Sequence, residues 1–536
     1  MIDTNKWKKR LKELKHKKLA TSDDINTLTK MINSKDEENH TVLDVLVSNI
    51  IKNKLSESLN AGQKQAFETI IDFLIDSGDD KGIVLKGYAG TGKTFLVRRL
   101  IEYIAQTDHD GAIAITAPTN KAVKVLYKAA AGNNSGLSSF VFEDIFDGNS
   151  RISYSTIHKL LGMREVIMPD GTQKFEMQNI SENKSLNFKY LIVDEVSMLD
   201  NNICHGIMKL AEKIKIIFIG DPMQIPPVNA TDSIPFKQDS PYKYKTVELT
   251  EIMRQKGDNP IIASSFAIRD NIHAIQPIPK LVSSVNSKGE GLIYYDEAVD
   301  KPKIKPLLEQ YFKNFKFEVD SDYMKVIAWT NKTVNYINDV VREILYGANP
   351  AKFEEGEKLI VLKPIFKEVH HKKYGIYWRL LLNTSEELTV TNVHLEDLTK
   401  KIGTHSLTYK AWVLTVSYSD LEGHECEDFI YVMHESSEED YRKMVSTLRQ
   451  RAIDHKLSSP DTRKKAWVDY FNCLKWSAQT AYNYAITGHK AQGSTYENVL
   501  IIEDDIDRNR KTLERNRIKY TAYSRASKLL HILRKN

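Results

Sequence analysis

Residues 87–95 read GYAGTGKTF. Gly87, Gly92, Lys93 and Thr94 satisfy the spacing G-x-x-x-x-G-K-[ST], that of a loop that wraps nucleotide phosphates. Its glycines let backbone N–H groups curl around phosphate oxygens, and the N-terminus of a following helix adds partial positive charge. Lys93 suits the β- and γ-phosphates of ATP and Thr94 suits Mg2+. Gly90 and Phe95 complete the expected nucleotide-binding set. Asp194 and Glu195 close the apolar run YLIVD, at the carboxyl edge where a parallel sheet binds ligands. Asp194 is expected to hold Mg2+ through water, and Glu195 to orient and deprotonate the attacking water. Gln224, in GDPMQIPPV, can touch both γ-phosphate and water; taken alone it reads as a turn residue beside two prolines. Gln63, in LNAGQKQAF, carries an amide that both donates and accepts and so suits the adenine edge. A polar residue at a helix start is the plainer account of it. Two arginines, Arg254 in ELTEIMRQ and Arg525 in KYTAYSRAS, are candidates for the γ-phosphate. An arginine supplied from a neighbouring unit stabilises transition-state charge by about 10³–10⁵ in rate.

Those residues need strands and helices to hold them. GIVLK (82–86) leads into the loop, and FLVRRLIEYIA (95–105) reads as the helix behind it. AIAIT (112–116), YLIVD (190–194) and KIIFIG (215–220) read as further buried strands. A second set follows in KVIAWT (325–330), YAIT (484–487), VLIIED (499–504) and LLHIL (529–533). Short apolar strands separated by helices predict parallel sheets covered on both faces, here two α/β units. Between them, residues 359–435 are β-rich and turn-punctuated, which predicts a small antiparallel barrel; residues 436–476 read as helical. REVIMPDGTQKFEMQ (164–178) alternates around Pro-Asp-Gly and predicts a β-hairpin.

The chain has 536 residues, with 41% hydrophobic and 27% charged, ordinary for several globular units. No apolar run approaches the ~20 residues that span a bilayer, and the charged N-terminus is unlike a secretory signal. Cys204, Cys426 and Cys473 are far apart and odd in number, pointing to reduced thiols. Net charge is +5, but residues 1–19 hold eight Lys/Arg against two Asp/Glu, so the rest is nearly neutral. That segment predicts an amphipathic basic helix on Trp7, Leu11 and Leu14, read foremost as a solvated extension with one apolar face docked on the body, with a clamp on phosphates or a partner as the sharper reading. His370–His371 and HECE (424–427) lack zinc-site spacing.

Ten stretches stand in a fixed order: LNAGQKQAF, GYAGTGKTF, ITAPTNKAV, YSTIHKLLG, LIVDEVSM, GDPMQIPPV, LTEIMRQ, AWTNKTV, ITGHKAQGST and YTAYSRAS. In that order the chain resembles the superfamily 1 DNA helicases of the 5′-to-3′ branch, the Dda and RecD-like group, over nearly everything beyond residue 58. The resemblance implies an α/β protein with two RecA-like motor domains, residues 59–258 and residues 259–350 with 480–536. It also implies a β-hairpin pin at 163–180, an inserted SH3-like β-barrel with a helical tower at 351–479, and a helical basic extension at 1–58. ATP and Mg2+ are the implied cofactors. Single-stranded DNA is implied to run past Pro118, Thr119, Asn120, Thr156 and His158 on the first domain, and past Thr330, Asn331, His489 and Lys490 on the second. Such polar groups suit phosphates without base readout. Phe175, the aromatic of the hairpin, is the candidate for stacking on a base at the junction of single and double strands; packing on the hairpin's own base is the equal alternative. LLLNTSEEL departs from the family, lacking the glycine turn usual in its barrel.

The implied activity is ATP-driven 5′-to-3′ translocation on single-stranded DNA with strand separation, in DNA replication, repair or recombination. The alternative is a nucleotide-gated DNA-binding or remodelling subunit that needs partners to unwind, with an RNA helicase a third option. The family further implies a monomer working beside a single-strand-binding protein or replisome component, with no membrane, in the cytoplasm of a phage-infected bacterium.

Overall fold

The computed structural model describes residues 4–33, 39–76, 78–108, 111–131, 151–168, 170, 172–177, 188–227, 230–251, 259–274, 282–296, 304–371, 375–421, 423–454 and 459–535. Its first sheet has six parallel strands in the spatial order Ile152–Thr156, Ile113–Ala117, Tyr190–Val193, Lys215–Gly220, Gly82–Gly87 and Tyr244–Leu249. The four central strands are the apolar runs read from the sequence. The two edge strands, ISYST and YKTVEL, were not anticipated. Each is exposed or half-buried at most positions, so neither carries a continuous apolar run.

The second sheet orders Ala485–Thr487, Met324–Ala328, Tyr496–Ile502, Ala526–Leu533, Gly291–Tyr295 and Ser284–Val285. It is parallel except for its last pair. An α/β architecture with parallel sheets is thus present twice.

The inserted region forms a five-stranded antiparallel sheet in the order Glu425–Met433, His405–Ser419, Glu387–Ile402, Lys358–Val361 and Thr480–Tyr482. A separate antiparallel ribbon pairs Ile365–His371 with Gly375–Leu382. The expected boundary at 479 falls just before strand Thr480–Tyr482, which belongs to the inserted sheet. Helices Glu438–Asp454 and Pro460–Leu474 pack together, and Leu448 and Cys473 share a core with Tyr409 and Trp476.

Helices Thr4–His16, Ser22–Asn33 and Asn39–Ser56 lie on the first unit. Leu14, Leu28, Leu43 and Ile51 are almost fully buried in one core with Phe67 and Leu100. Burial at about 1.5–3 kcal/mol per side chain is ample to dock this charged segment. Arg10 is buried beside them, and its guanidinium donates to Glu13 and to the Gln106 carbonyl. Among the described residues no helix is long and apolar enough to cross a membrane.

Candidate nucleotide cleft and strand path

Strand Gly82–Gly87 delivers the chain into the glycine loop, and helix Lys93–Thr107 leaves it. Gly90 and Gly92 have φ of +83° and +79°, the left-handed region where a side chain is strained. A Cβ on Gly87 would stand 2.9 Å from Lys93 Cγ and Thr91 Oγ1. Gly92 caps the helix with no side-chain bond, so the N–H groups of the first turn stay available to an anion. Lys93 Nζ donates to the carbonyls of Gly87 at 2.5 Å and Tyr88 at 3.0 Å, a fold-back across the loop it would leave for a phosphate. Thr94 and Phe95 follow, half-buried, with the Arg99 guanidinium 5.0 Å above the Phe95 ring. Gln63 is engaged at both ends of its amide. Its oxygen accepts from Asn60 N–H in a reciprocal helix cap, and Nε2 donates to the Thr91 carbonyl at 3.2 Å. It therefore touches the loop through Thr91, and reading an adenine edge requires exchange of one of those bonds.

Asp194 lies at the carboxyl edge of its strand. Burial, and then the charge of Glu195, push its carboxyl up to about 7, while Lys93 pulls the other way. Glu195 adopts φ +52°, uncommon for a residue with a side chain, and its N–H donates to Asp194 Oδ1 at 2.8 Å. Two adjacent carboxyls beside a lysine and a glycine cradle fit Mg2+ and a triphosphate: the cation would neutralise the buried acid, and the loop N–H groups and Lys93 would take the phosphates.

The second unit meets this site directly. Tyr520 OH donates to Asp221 Oδ2 at 2.7 Å and accepts from Ala89 N–H in the glycine loop at 3.2 Å. Ile225 of the first unit is buried in the second unit's core with Ile486, Ala491 and Ile518. Gln492 Nε2 donates to the Ile225 carbonyl at 2.8 Å. Gly493, at φ +71°, leaves so little room that a Cβ there would be 3.3 Å from Ala122 Cβ and 3.9 Å from Glu195 Oε1. Gln224 is 4% exposed, and its side-chain oxygen has no hydrogen-bond partner among the described residues. A buried acceptor left bare beside the cleft fits a group that receives a ligand or its water.

Arg525 is buried and turned toward its own unit. Nε donates to the Thr521 carbonyl, and the two terminal nitrogens donate to the Ser494 carbonyl and Ser524 Oγ. Its charge still acts on Tyr520, the residue that touches the loop. Arg254 lies outside the described residues. Tyr520, Asp221 and the packing of Ile225 were missed at the level of sequence. Tyr520 sits one helical stretch before Arg525, but nothing in KYTAYSRAS singles it out.

The strand-path candidates sit at element starts. Pro118 and Thr119 bridge strand Ile113–Ala117 and helix Asn120–Ala131, where Thr119 Oγ1 accepts from Ala122 N–H. Asn120 Nδ2 donates to Glu386 of the inserted sheet. Thr156 caps the short turn Ile157–Leu160, on which His158 is exposed. Thr330 caps helix Asn331–Tyr346, and its hydroxyl donates to Asp505 Oδ1 at 2.9 Å, so that hydroxyl is committed within the second unit. Asn331 beside it is exposed. Burial lowers the pKa values of both His489 and Lys490. Lys490 has no carboxylate partner among the described residues, a suitable seat for a phosphate.

The hairpin forms with Met163–Ile167 against Gln173–Met177, and Phe175 opposes Glu165 in the register. Its turn glycine and the Phe175 side chain fall outside what is described. Helix Pro460–Leu474 of the inserted region approaches strand Met163–Ile167. The turn that lacks glycine forms nonetheless, with Ser385 taking φ +67°.

Comparison with known proteins gives two family matches: an AAA domain over residues 58–277 and a UvrD-like helicase C-terminal domain over residues 482–533. An uncharacterized protein of Acanthamoeba polyphaga mimivirus is 28% identical over 505 residues, covering 88% of this chain and 99% of that one. The ATP-dependent DNA helicase dda of Enterobacteria phage T4 is 25% identical over 464 residues, 83% of this chain and 92% of its own. The RecBCD enzyme subunit RecD of Buchnera aphidicola subsp. Schizaphis graminum is 25% identical over 506 residues, 90% of this chain and 74% of its own.

Proposed function

We infer that this chain is a superfamily 1 helicase of the 5′-to-3′ branch, an ATP-dependent DNA helicase moving along single-stranded DNA. The observation that carries the reading is the bridge at the cleft: Tyr520 of the second unit holds both Asp221 and the N–H of Ala89 in the glycine loop. A change at the phosphate seat therefore reaches the second unit directly through that side chain.

ATP bound with Mg2+ would supply a phosphoanhydride whose hydrolysis is strongly favourable. Lys93 and the loop N–H groups would bind and orient the phosphates, and Thr94 and Asp194 would hold the cation. Glu195 takes the proton of the attacking water, and Gln224 orients that water. Arg525 and Arg254 stabilise charge as it develops on the γ-phosphoryl group; for Arg525 this means turning donors from Ser494 and Ser524 toward the cleft. Gln492 and Gly493, against Ile225 and Glu195, carry the change to His489 and Lys490 on the strand path.

The hairpin at 163–180 is the element that splits the duplex, with the inserted SH3-like domain and its helical tower behind it. Stacking of Phe175 on a base, at about 1–3 kcal/mol, is comparable with the mean stacking of one base-pair step, about 1.4 kcal/mol. The pin thus holds about one opened pair, and turnover supplies direction. The protein acts as a monomer at junctions of single and double strands, with a single-strand-binding protein or replisome component as its neighbour. Its phage-type setting in a bacterial cytoplasm rests on the family alone.

The test is unwinding of duplexes carrying a 5′ or a 3′ single-stranded tail by the purified protein. Unwinding with the 5′ tail is expected. Preference for the 3′ tail overturns the branch assignment, and ATP hydrolysis without unwinding on either substrate favours a subunit that needs partners.

A further inference from the structure

Helix Asn120–Ala131 of the first unit faces the turn 383–387 of the inserted sheet. Asn120 Nδ2 donates to Glu386 Oε1, and Lys124 Nζ donates to Glu386 Oε2 at 3.2 Å and to the Ser419 carbonyl at 2.6 Å. Between them on the helix, Lys121 Nζ lies 2.9 Å from Glu387 Oε1 and 2.8 Å from Asp322 Oδ1. Two consecutive carboxylates of one domain are thus gripped by three donors from one helical turn of another.

The two carboxylates are not equivalent. Burial would raise the Glu387 carboxyl, but Lys121 and Lys325 outweigh it and hold it down at about 2. Glu387 is therefore a permanent member of a buried ion cluster. Among the described residues the Glu386 carboxylate accepts from Asn120 and Lys124, one amide N–H and one ammonium, with the Tyr418 ring near enough to feel its charge. That donor pair equally suits the two non-bridging oxygens of a phosphodiester. Its position is also enforced. Ser385, immediately before it, is held at φ +67° where glycine would be unstrained. The Ser385 N–H donates to the Val361 carbonyl, and the Val361 N–H donates to the Glu386 carbonyl, locking the turn to strand Lys358–Val361. A strained turn that presents a carboxylate to a residue on the strand path calls for a functional account.

We propose that Glu386 stands in for a backbone phosphate: in the protein without DNA its carboxylate fills the seat made by Asn120 and Lys124, and an entering single strand displaces it. The proposal rests on the reading that Asn120 lies on the strand's path. Lys121, tied to Glu387 and Asp322, keeps the two units aligned during the exchange. Because the strand must displace a resident anion, the measured affinity lies below that of an open seat.

Glu386→Gln keeps the shape of the side chain and removes the charge that competes. Binding of a fluorescent oligodeoxythymidylate, followed by anisotropy without nucleotide, should tighten by about five-fold or more relative to the unmodified protein. Glu386→Ala should tighten it similarly, with melting temperature measured on both to establish folding. Adding Asn120→Ala to Glu386→Gln should abolish the gain. If both single variants bind with the parent's Kd or more weakly while remaining folded, the proposal is overturned and Glu386 merely positions Asn120. Absence of measurable binding by the unmodified protein is a different result: it sinks the helicase reading, and the proposal with it.

Discussion

The two walls of the nucleotide cleft are built in different ways. On the first unit the phosphate seat is local. Gly87, Gly90, Gly92 and Lys93 lie within one short loop between a strand and a helix, and backbone sterics place them. On the second unit the contribution is remote. Gln492 comes from one segment and Tyr520 and Arg525 from another, both far along the chain from the loop, and the Arg525 donors are spent on its own unit. The first wall is preorganised and the second is poised. Binding and turnover should therefore separate by wall: damage on the first side should remove phosphate binding, and damage on the second should spare it but stop hydrolysis or its coupling.

The largest expected effect is at Arg525. Arg525→Ala should lower DNA-stimulated ATPase by about 10³-fold or more while a fluorescent ATP analogue still binds. Arg525→Lys should fail to restore it, because an ammonium lacks the guanidinium's planar fork. Equal loss of nucleotide binding would erase the contrast between the walls. Lys93→Ala should lower ATPase by about 10²–10³-fold and weaken nucleotide binding as well, yet leave oligonucleotide binding measurable by anisotropy.

Tyr520→Phe is smaller in scale and more diagnostic. It removes one hydroxyl that satisfies Asp221 Oδ2 and Ala89 N–H, a loss of about 1–3 kcal/mol if that buried oxygen is left without a donor. DNA-stimulated ATPase should fall about ten-fold or more with basal ATPase nearly retained, since the bridge couples the walls. Loss of both rates in parallel would reduce Tyr520 to a packing residue. Smallest is Phe175→Ala, which touches neither wall. It should slow unwinding of a tailed duplex by up to about ten-fold, the equivalent of about 1.4 kcal/mol of stacking, with ATPase on single-stranded DNA within about two-fold. Matching losses in the two assays would argue that Phe175 packs on its own hairpin.

Legibility from sequence followed the same division. The central strands of both parallel sheets were readable because burial on both faces writes a continuous apolar run, as in GIVLK and KIIFIG. Edge strands Ile152–Thr156 and Tyr244–Leu249 were not, because an edge needs only partial burial. Strand Gly291–Tyr295 of the second unit was missed as well; it is buried only at Gly291 and Leu292, too short an apolar run to stand out. The β-rich insertion was recognisable as antiparallel. Its division into a five-stranded sheet and a separate ribbon depended on which strands paired, which alternation alone does not specify.

By itself the sequence determined the phosphate seat and the order of segments that carries the helicase resemblance. Left-handed glycines, a lysine and a threonine act within a few residues of one another, so their geometry follows from local sterics. Only the tertiary structure decided that Tyr520 spans the cleft, that Arg525 is turned away, and that Glu386 meets Asn120 across 266 residues. Such encounters arise from the packing of whole units. The chain between the partners can be long at little extra entropic cost, so its length carries no trace of which side chains will touch.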